Sequence, residues 1–183
     1  MRSIYMITED TYGCDFLKGV RDRLAEEGLL RGKQSIQCHH MGILRNKDVG
    51  RMVKAALLDR GDDKVLIVVD ADGRSREDVE SDVVPFVRRG MRGGRTGKGN
   101  IEELMGRVRL VVFAQEAEEW ILASIGRTSV GRKPSDFLRM TRRYEKRELP
   151  KFVRSLDLEA LKRMRSFKDF IEALDDPLAE APR

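Results

Sequence analysis

The chain is poor in the residues that usually mark a catalytic or metal site. It has two cysteines, Cys14 and Cys38, and two histidines, His39 and His40. There is no C-x-x-C and no zinc-type ligand spacing, so a structural zinc module is not expected. Two isolated thiols read as free cysteines of a reducing cytosol. Adjacent residues of a regular strand face opposite sides, so His39 and His40 are not expected to enter one site. No Ser-His-Asp arrangement has a local signature. Aromatic residues make up only 6% of the chain, which argues against base stacking along a single strand. No apolar run approaches the ~20 residues that span a bilayer, and "MRSIYMITEDTY" holds no signal-like stretch. The expectation is a soluble cytoplasmic protein with no membrane partner.

What is present is charge and periodicity. The chain has 183 residues, 37% of them charged and 40% hydrophobic, with a formal net charge of +5. That length suits one domain with a real core, and the positive balance is a weak pointer to a polyanionic partner. "SIYMIT" (3–8), "SIQCHHM" (35–41), "KVLIVV" (64–69) and the 107–113 stretch read as strands. Helical spacing follows from Asp15, near 46–59, after the Ser75–Asp78 capping box and near Glu116. Pro85 is expected to break or kink the third helix, and the five glycines of 90–99 to form a loop. Strand and helix alternate four times over residues 1–125, which predicts a Rossmann-like α/β domain with a mostly parallel sheet of about four strands. Residues 126–183 are expected to form a helical extension packed on that domain, closing with "SFKDFIEAL".

Three of the strands end in acids. The first ends at Glu9-Asp10, the third at Asp70-Ala-Asp72, and the fourth runs into Glu116, Glu118 and Glu119. In parallel sheets, ligands bind beyond the carboxyl ends of the strands. Three acidic ends at one edge repel one another unless a cation lies between them, and oxygen ligands suit Mg²⁺ or Mn²⁺.

A strand-1 Glu followed by a helix, then an apolar strand ending in Asp-x-Asp, resembles the Toprim domain of topoisomerases, primases and small nucleases. "EAEEWILA" (116–123) is similar to a stretch of the small Toprim-like proteins of the RloB-like group, and "SFKDFIEAL" to their closing helix. The resemblance implies that Glu9 is a general acid/base or metal ligand and that Asp70 and Asp72 hold Mg²⁺. Glu116 and Glu118 match the late acidic motif, and Trp120 would pack behind it. One position departs from the pattern: Asp10 stands where Gly usually follows the strand-1 Glu.

Basic segments complete the expectation. Arg88, Arg89, Arg92, Arg95 and Lys98 fall in a stretch without acids. Residues 127–147, with Arg132, Lys133, Arg142 and Arg143 among them, hold eight Lys/Arg against Asp136 and Glu145. Cations beside an acidic metal site suit a phosphodiester substrate. "GGRTGKG" is not a Walker A loop, because Arg92 and Gly99 occupy its first and last positions. The leading expectation is a Mg²⁺-dependent nuclease or phosphoryl-transfer enzyme acting on DNA or RNA, catalysed by Glu9, Asp70 and Asp72, with a homodimer as a permitted assembly. The alternatives are a non-catalytic Toprim scaffold that binds nucleic acid or protein, and a phosphatase or nucleotide hydrolase for small molecules.

Overall fold

Val65 to Val69 are apolar without interruption because the strand they form is covered on both faces. The structure, a computed structural model, describes residues 1–42, 44, 46–92, 98–129 and 131–175, with the backbone alone at 98–100. Four strands, β1 (Arg2–Thr8), β2 (Gln34–His40), β3 (Lys64–Asp70) and β4 (Val108–Phe113), form one sheet in the order β2-β1-β3-β4. Every pairing is parallel. Alternate residues of β3 enter two cores: Leu66 and Val68 on one face, Val65, Ile67 and Val69 on the other. A strand covered on both faces is apolar on both, which is why Val65 to Val69 show no alternation.

The first face is covered by α1 (Thr11–Glu26), α5 (Glu119–Ser124) and the extension. The extension runs through α6 (Pro134–Arg142), a 3₁₀ helix (Lys146–Ser155), α7 (Leu158–Leu161) and α8 (Arg165–Asp175). Trp120, fully buried, joins these layers: its ring lies 4.9 Å from that of Phe113, 5.0 Å from Phe167 and 5.9 Å from Phe16. Its indole N–H donates to Ser166 Oγ at 3.0 Å, so the one polar atom of the ring is satisfied. The fully buried Lys64 is satisfied in the same way, donating from Nζ to the Ala173 carbonyl of α8 at 3.2 Å. The extension is therefore part of the main core. The second face carries α2 (Lys47–Lys54), a π-helical turn (Ala55–Asp59), α3 (Arg76–Met91) and α4 (Lys98–Gly106).

Four expectations are corrected. Pro85 does not break α3, which runs unbroken to Met91. Pro85 is exposed, while Val79, Val83, Val87, Gly90 and Met91 are buried, so the carbonyl that Pro85 leaves without a helical donor can bond to water. The expected loop 90–99 is accordingly helical at its start and from Lys98; residues 93–97 lie outside the described residues. Cys14 and Cys38 are not free thiols but a disulfide, with Cα atoms 5.7 Å apart. Parallel pairing of β1 with β2 brings Cys38 opposite Met6, under the first turns of α1, across 24 residues of sequence that carry no spacing signal. The inference of a reducing compartment loses its basis with them. His39 and His40, expected on opposite faces, instead lie with ring centroids 5.8 Å apart at the exposed end of β2.

Gly90 has a packing reason for being glycine. α2 and α3 cross at Gly50 and Gly90, where a Cβ on Gly90 would meet the Lys47 carbonyl oxygen at 2.1 Å and Gly50 Cα at 2.7 Å. Gly106 has open space instead. We expect Gly90→Ala to destabilise the fold by about 3 kcal/mol or more in urea unfolding, since only backbone movement could accommodate the methyl. Gly106→Ala should be neutral or slightly stabilising. Equal effects of the two would show that the helices do not cross as closely as described.

Candidate functional site at the carboxyl edge of the sheet

β1 leads through α1 to β2 on one side, and β3 lies on the other side of β1, so the strand order reverses between β1 and β3. The crevice beyond the carboxyl ends at such a point is where open α/β sheets bind ligands. Glu9 follows β1 and Asp70 ends β3. Together with Thr8, Asp10 and Gly13 they line a cleft of about 20 Å³, room for one water-sized occupant.

Asp10 explains its own departure from glycine. It is the N-cap of α1, its Oδ1 accepting the Gly13 N–H at 2.6 Å, and its Oδ2 pairs with Lys146 Nζ at 2.9 Å. Asp70 is held well above the usual carboxylate range by burial, then by the negative charge of Glu9, with Lys146 opposing and Glu118 and Asp10 adding. Glu118 is fully buried: its Oε1 accepts the Tyr144 hydroxyl at 2.8 Å, and its Oε2 has no hydrogen-bond partner among the described residues. Burial raises its pKa, and the Tyr144 bond and Lys146 partly offset the rise. The Tyr144 hydroxyl is pushed up by burial and by the neighbouring Glu118. Burial works against the charge of Lys146, but the Asp10 hydrogen bond and the fields of Asp10, Glu118 and Asp70 prevail and hold the ammonium above its ordinary value.

The other expected ligands are placed differently. Asp72 does not line the cleft. It sits in a left-handed turn (φ 51°), exposed at the rim, its Oδ1 2.7 Å from Lys133 Nζ. The turn is fixed from below by the Ala71 and Gly73 amides, which donate to the Phe113 and Ala114 carbonyls. Glu116 is buried and serves α6, its Oε2 accepting the Ser135 N–H at 3.0 Å. Among the described residues no three His, Cys, Asp or Glu side chains are gathered as ligands of one ion. The resemblance-based set is therefore split: Glu9, Asp70 and Glu118 belong to one electrostatic cluster, while Asp72 and Glu116 have partners of their own.

The donors of the cluster are of the oxygen type a hard divalent cation takes, but the described residues do not gather them into a ligand set for one. All donors are carboxylate oxygens, one buried oxygen lacks a partner, and Lys146 faces several acids. Tyr144 and Lys146 were not singled out from the sequence. They lie within an undifferentiated basic stretch, and only the fold shows that Tyr144 turns inward, leaving 3% of its surface exposed.

Of the expected phosphate contacts, Lys133 pairs with Asp72 and is also coupled to Glu116 and Asp70. Arg132 lies against Met140, and Arg142 and Arg143 are exposed at the end of α6. Arg88 pairs with Glu102, the Arg89 guanidinium lies 5.7 Å from the Phe86 ring centroid, and Arg92 is exposed at the end of α3. Arg95 and the side chain of Lys98 lie outside the described residues. Among the described residues no helix is long and apolar enough to cross a membrane. Comparison with family models, with curated proteins and with solved structures returned no match.

A carboxyl group whose pKa is raised by folding makes the folded state bind the extra proton. Stability is then greatest below the unfolded pKa and falls as pH rises through the folded value. In metal-free buffer we expect wild-type stability to fall as pH rises from the acid range toward neutrality. Asp70→Asn should flatten that fall and gain about 1 kcal/mol at pH 7 in urea unfolding. A loss of stability at pH 7 would mean that the charge on Asp70 is welcomed rather than opposed.

Proposed function

We propose that the protein is a Mg²⁺- or Mn²⁺-dependent nuclease or phosphoryl-transfer enzyme acting on nucleic acid, built on a Toprim-like scaffold. The observation that carries this reading is Asp70, desolvated at the strand-order reversal and pressed by the negative charges of Glu9, Glu118 and Asp10. A fold tolerates such repulsion where a cation or a reaction uses it.

Asp70, Glu9 and the partnerless Oε2 of Glu118 would hold the ion, and Asp72 would join them on release from Lys133. A divalent ion held there would polarise a phosphoryl oxygen and lower the pKa of a bound water. Glu9, half-buried at the lining of the cleft, would take and return a proton as general acid/base. Lys133, Arg132, Arg142 and Arg143, exposed on the extension, would grip the phosphate backbone without reading sequence. These cations give no preference between DNA and RNA.

A second reading has its own observation. Lys133 and Lys146 already neutralise acids at the site, and no three-ligand set is gathered among the described residues. That arrangement would also suit a binding module that keeps the scaffold without the chemistry.

Calorimetric titration of Mg²⁺ into wild type and Asp70→Asn, followed by incubation of both with mixed DNA and RNA, separates the readings. The expected result is millimolar or tighter binding and Mg²⁺-dependent cleavage, both lost in the variant. Metal binding without cleavage would move the substrate to small phosphorylated molecules, and no binding at millimolar Mg²⁺ would leave the binding module.

A further inference from the structure

The sheet has two edge strands, β2 and β4, and the chain treats them differently. On β4 the main-chain groups of Arg107 and Phe113 face β3, where their carbonyls accept the Val65 and Ala71 amides. The alternate residues Val108 and Leu110 therefore turn their main chain outward. Both outward carbonyls are capped: Arg109 Nη1 donates to Val108 at 3.2 Å and Arg76 Nη2 to Leu110 at 3.5 Å. α8 also packs along this strand. Arginine caps and a covering helix close an edge to further pairing.

The edge at β2 is open by comparison. The Arg2 amide donates to Lys33 and the Met41 amide to Thr8, so the odd-numbered residues between Lys33 and Met41 face β1. Gln34, Ile36, Cys38 and His40 turn their main chain outward. A cap sits at the start, where Arg21 Nη1 donates to the Gln34 carbonyl at 2.8 Å. Further along, Gln37, His39 and His40 are exposed. Residues 34–44 are also the longest run of the chain without Lys, Arg, Asp or Glu, 11 residues in a sequence that is 37% charged. A buried strand such as β3 is expected to lack charge. An exposed edge without charge or proline is instead a template for another strand.

We propose that this edge pairs with the same edge of a second copy of the chain: two β2 strands run antiparallel about a two-fold axis at Gln37 and join the two sheets into one. A two-fold axis requires that the paired strands be antiparallel. With the axis at Gln37, Ile36 lies opposite the partner's Cys38 and Gln34 opposite the partner's His40, so all four outward residues are used. Charge favours a second copy as the occupant. The strand carries no charge with which to repel itself, and its two ends are complementary. Arg31 and Lys33, both exposed, stand at its start. Its far end lies at the acidic edge of the sheet, where Met41 and Gly42 donate to the carbonyls of Thr8 and Glu9. The antiparallel register sets Lys33 opposite the partner's Met41, so each basic start meets the other copy's acidic edge, twice in the dimer.

Sedimentation of the full chain over a range of concentrations reads the assembly. Wild type is expected to reach twice its chain mass of 21.0 kDa as the concentration rises through the micromolar range. Hydrogen exchange locates the contact without any variant. The outward amides of Ile36, Cys38 and His40 are expected to exchange at least about tenfold faster on dilution, while the Gln37 and His39 amides, bonded to β1, stay protected throughout. Gln37→Lys sets two ammonium groups across the axis, and His40→Pro removes an outward donor without touching the β1 ladder. Each is expected to weaken the dimer at least about tenfold. Met140→Lys, on the exposed side of α6, is the control and should leave association unchanged. Circular dichroism establishes that each variant is folded. A wild type that stays monomeric at about 100 µM overturns the proposal. So does a dimer whose outward β2 amides exchange alike at high and low concentration. A dimer that both folded edge variants leave intact, or that Met140→Lys weakens as much as they do, overturns it as well.

Discussion

The structure turns on one half-buried carboxylate at the end of a strand that is covered on both faces. β3 is covered on both sides, so its last residue, Asp70, emerges from an apolar environment into the reversal point of the sheet. There it meets Glu9 and Asp10 from the neighbouring strand end and Glu118 from below. Parallel strands cannot avoid this convergence, because all of them finish at the same edge. The chain uses that edge to gather charge that a random surface would spread apart.

The helical extension is part of this arrangement rather than an appendage. Its apolar residues, among them Leu149, Phe167 and Phe170, complete the first core. Its polar residues do the opposite task at the edge: Tyr144 supplies a hydrogen bond to Glu118, Lys146 pairs with Asp10, and Lys133 with Asp72. A carboxylate cluster formed by the α/β unit alone would be more strongly self-repelling. The same segment that finishes the core therefore also moderates the electrostatics of the site.

The sheet was legible because its signals are local: the five-residue apolar run Val65–Val69 and acids at three strand ends are visible in short windows. The split of Asp70 from Asp72 was not legible. An Asp-x-Asp pattern does not reveal that Asp72 adopts a left-handed turn and faces a lysine 61 residues away. Lys146 was hidden for a related reason, since one lysine among eight basic residues of 127–147 is distinguished only by where Tyr144 anchors it. The disulfide likewise depends on strand register, and Pro85 was misjudged because its effect depends on which side of α3 faces water. In each case the missing information was a long-range contact or an orientation, neither of which sequence spacing carries.

The crossing of α2 and α3 at Gly50 and Gly90 has a mechanical meaning beyond packing. With backbone against backbone, neither helix can slide or roll without opening a gap or a clash, so the pair acts as a fixed pivot. The two positions cannot compensate for each other by trading volume, because each one's space is filled by the other's main chain. The pivot lies at the end of α3 that carries Arg88, Arg89 and Arg92, next to the start of α2, which follows the carboxyl end of β2 by six residues (41–46). The bearing of that basic arm is thus set by two residues that have no side chain at all.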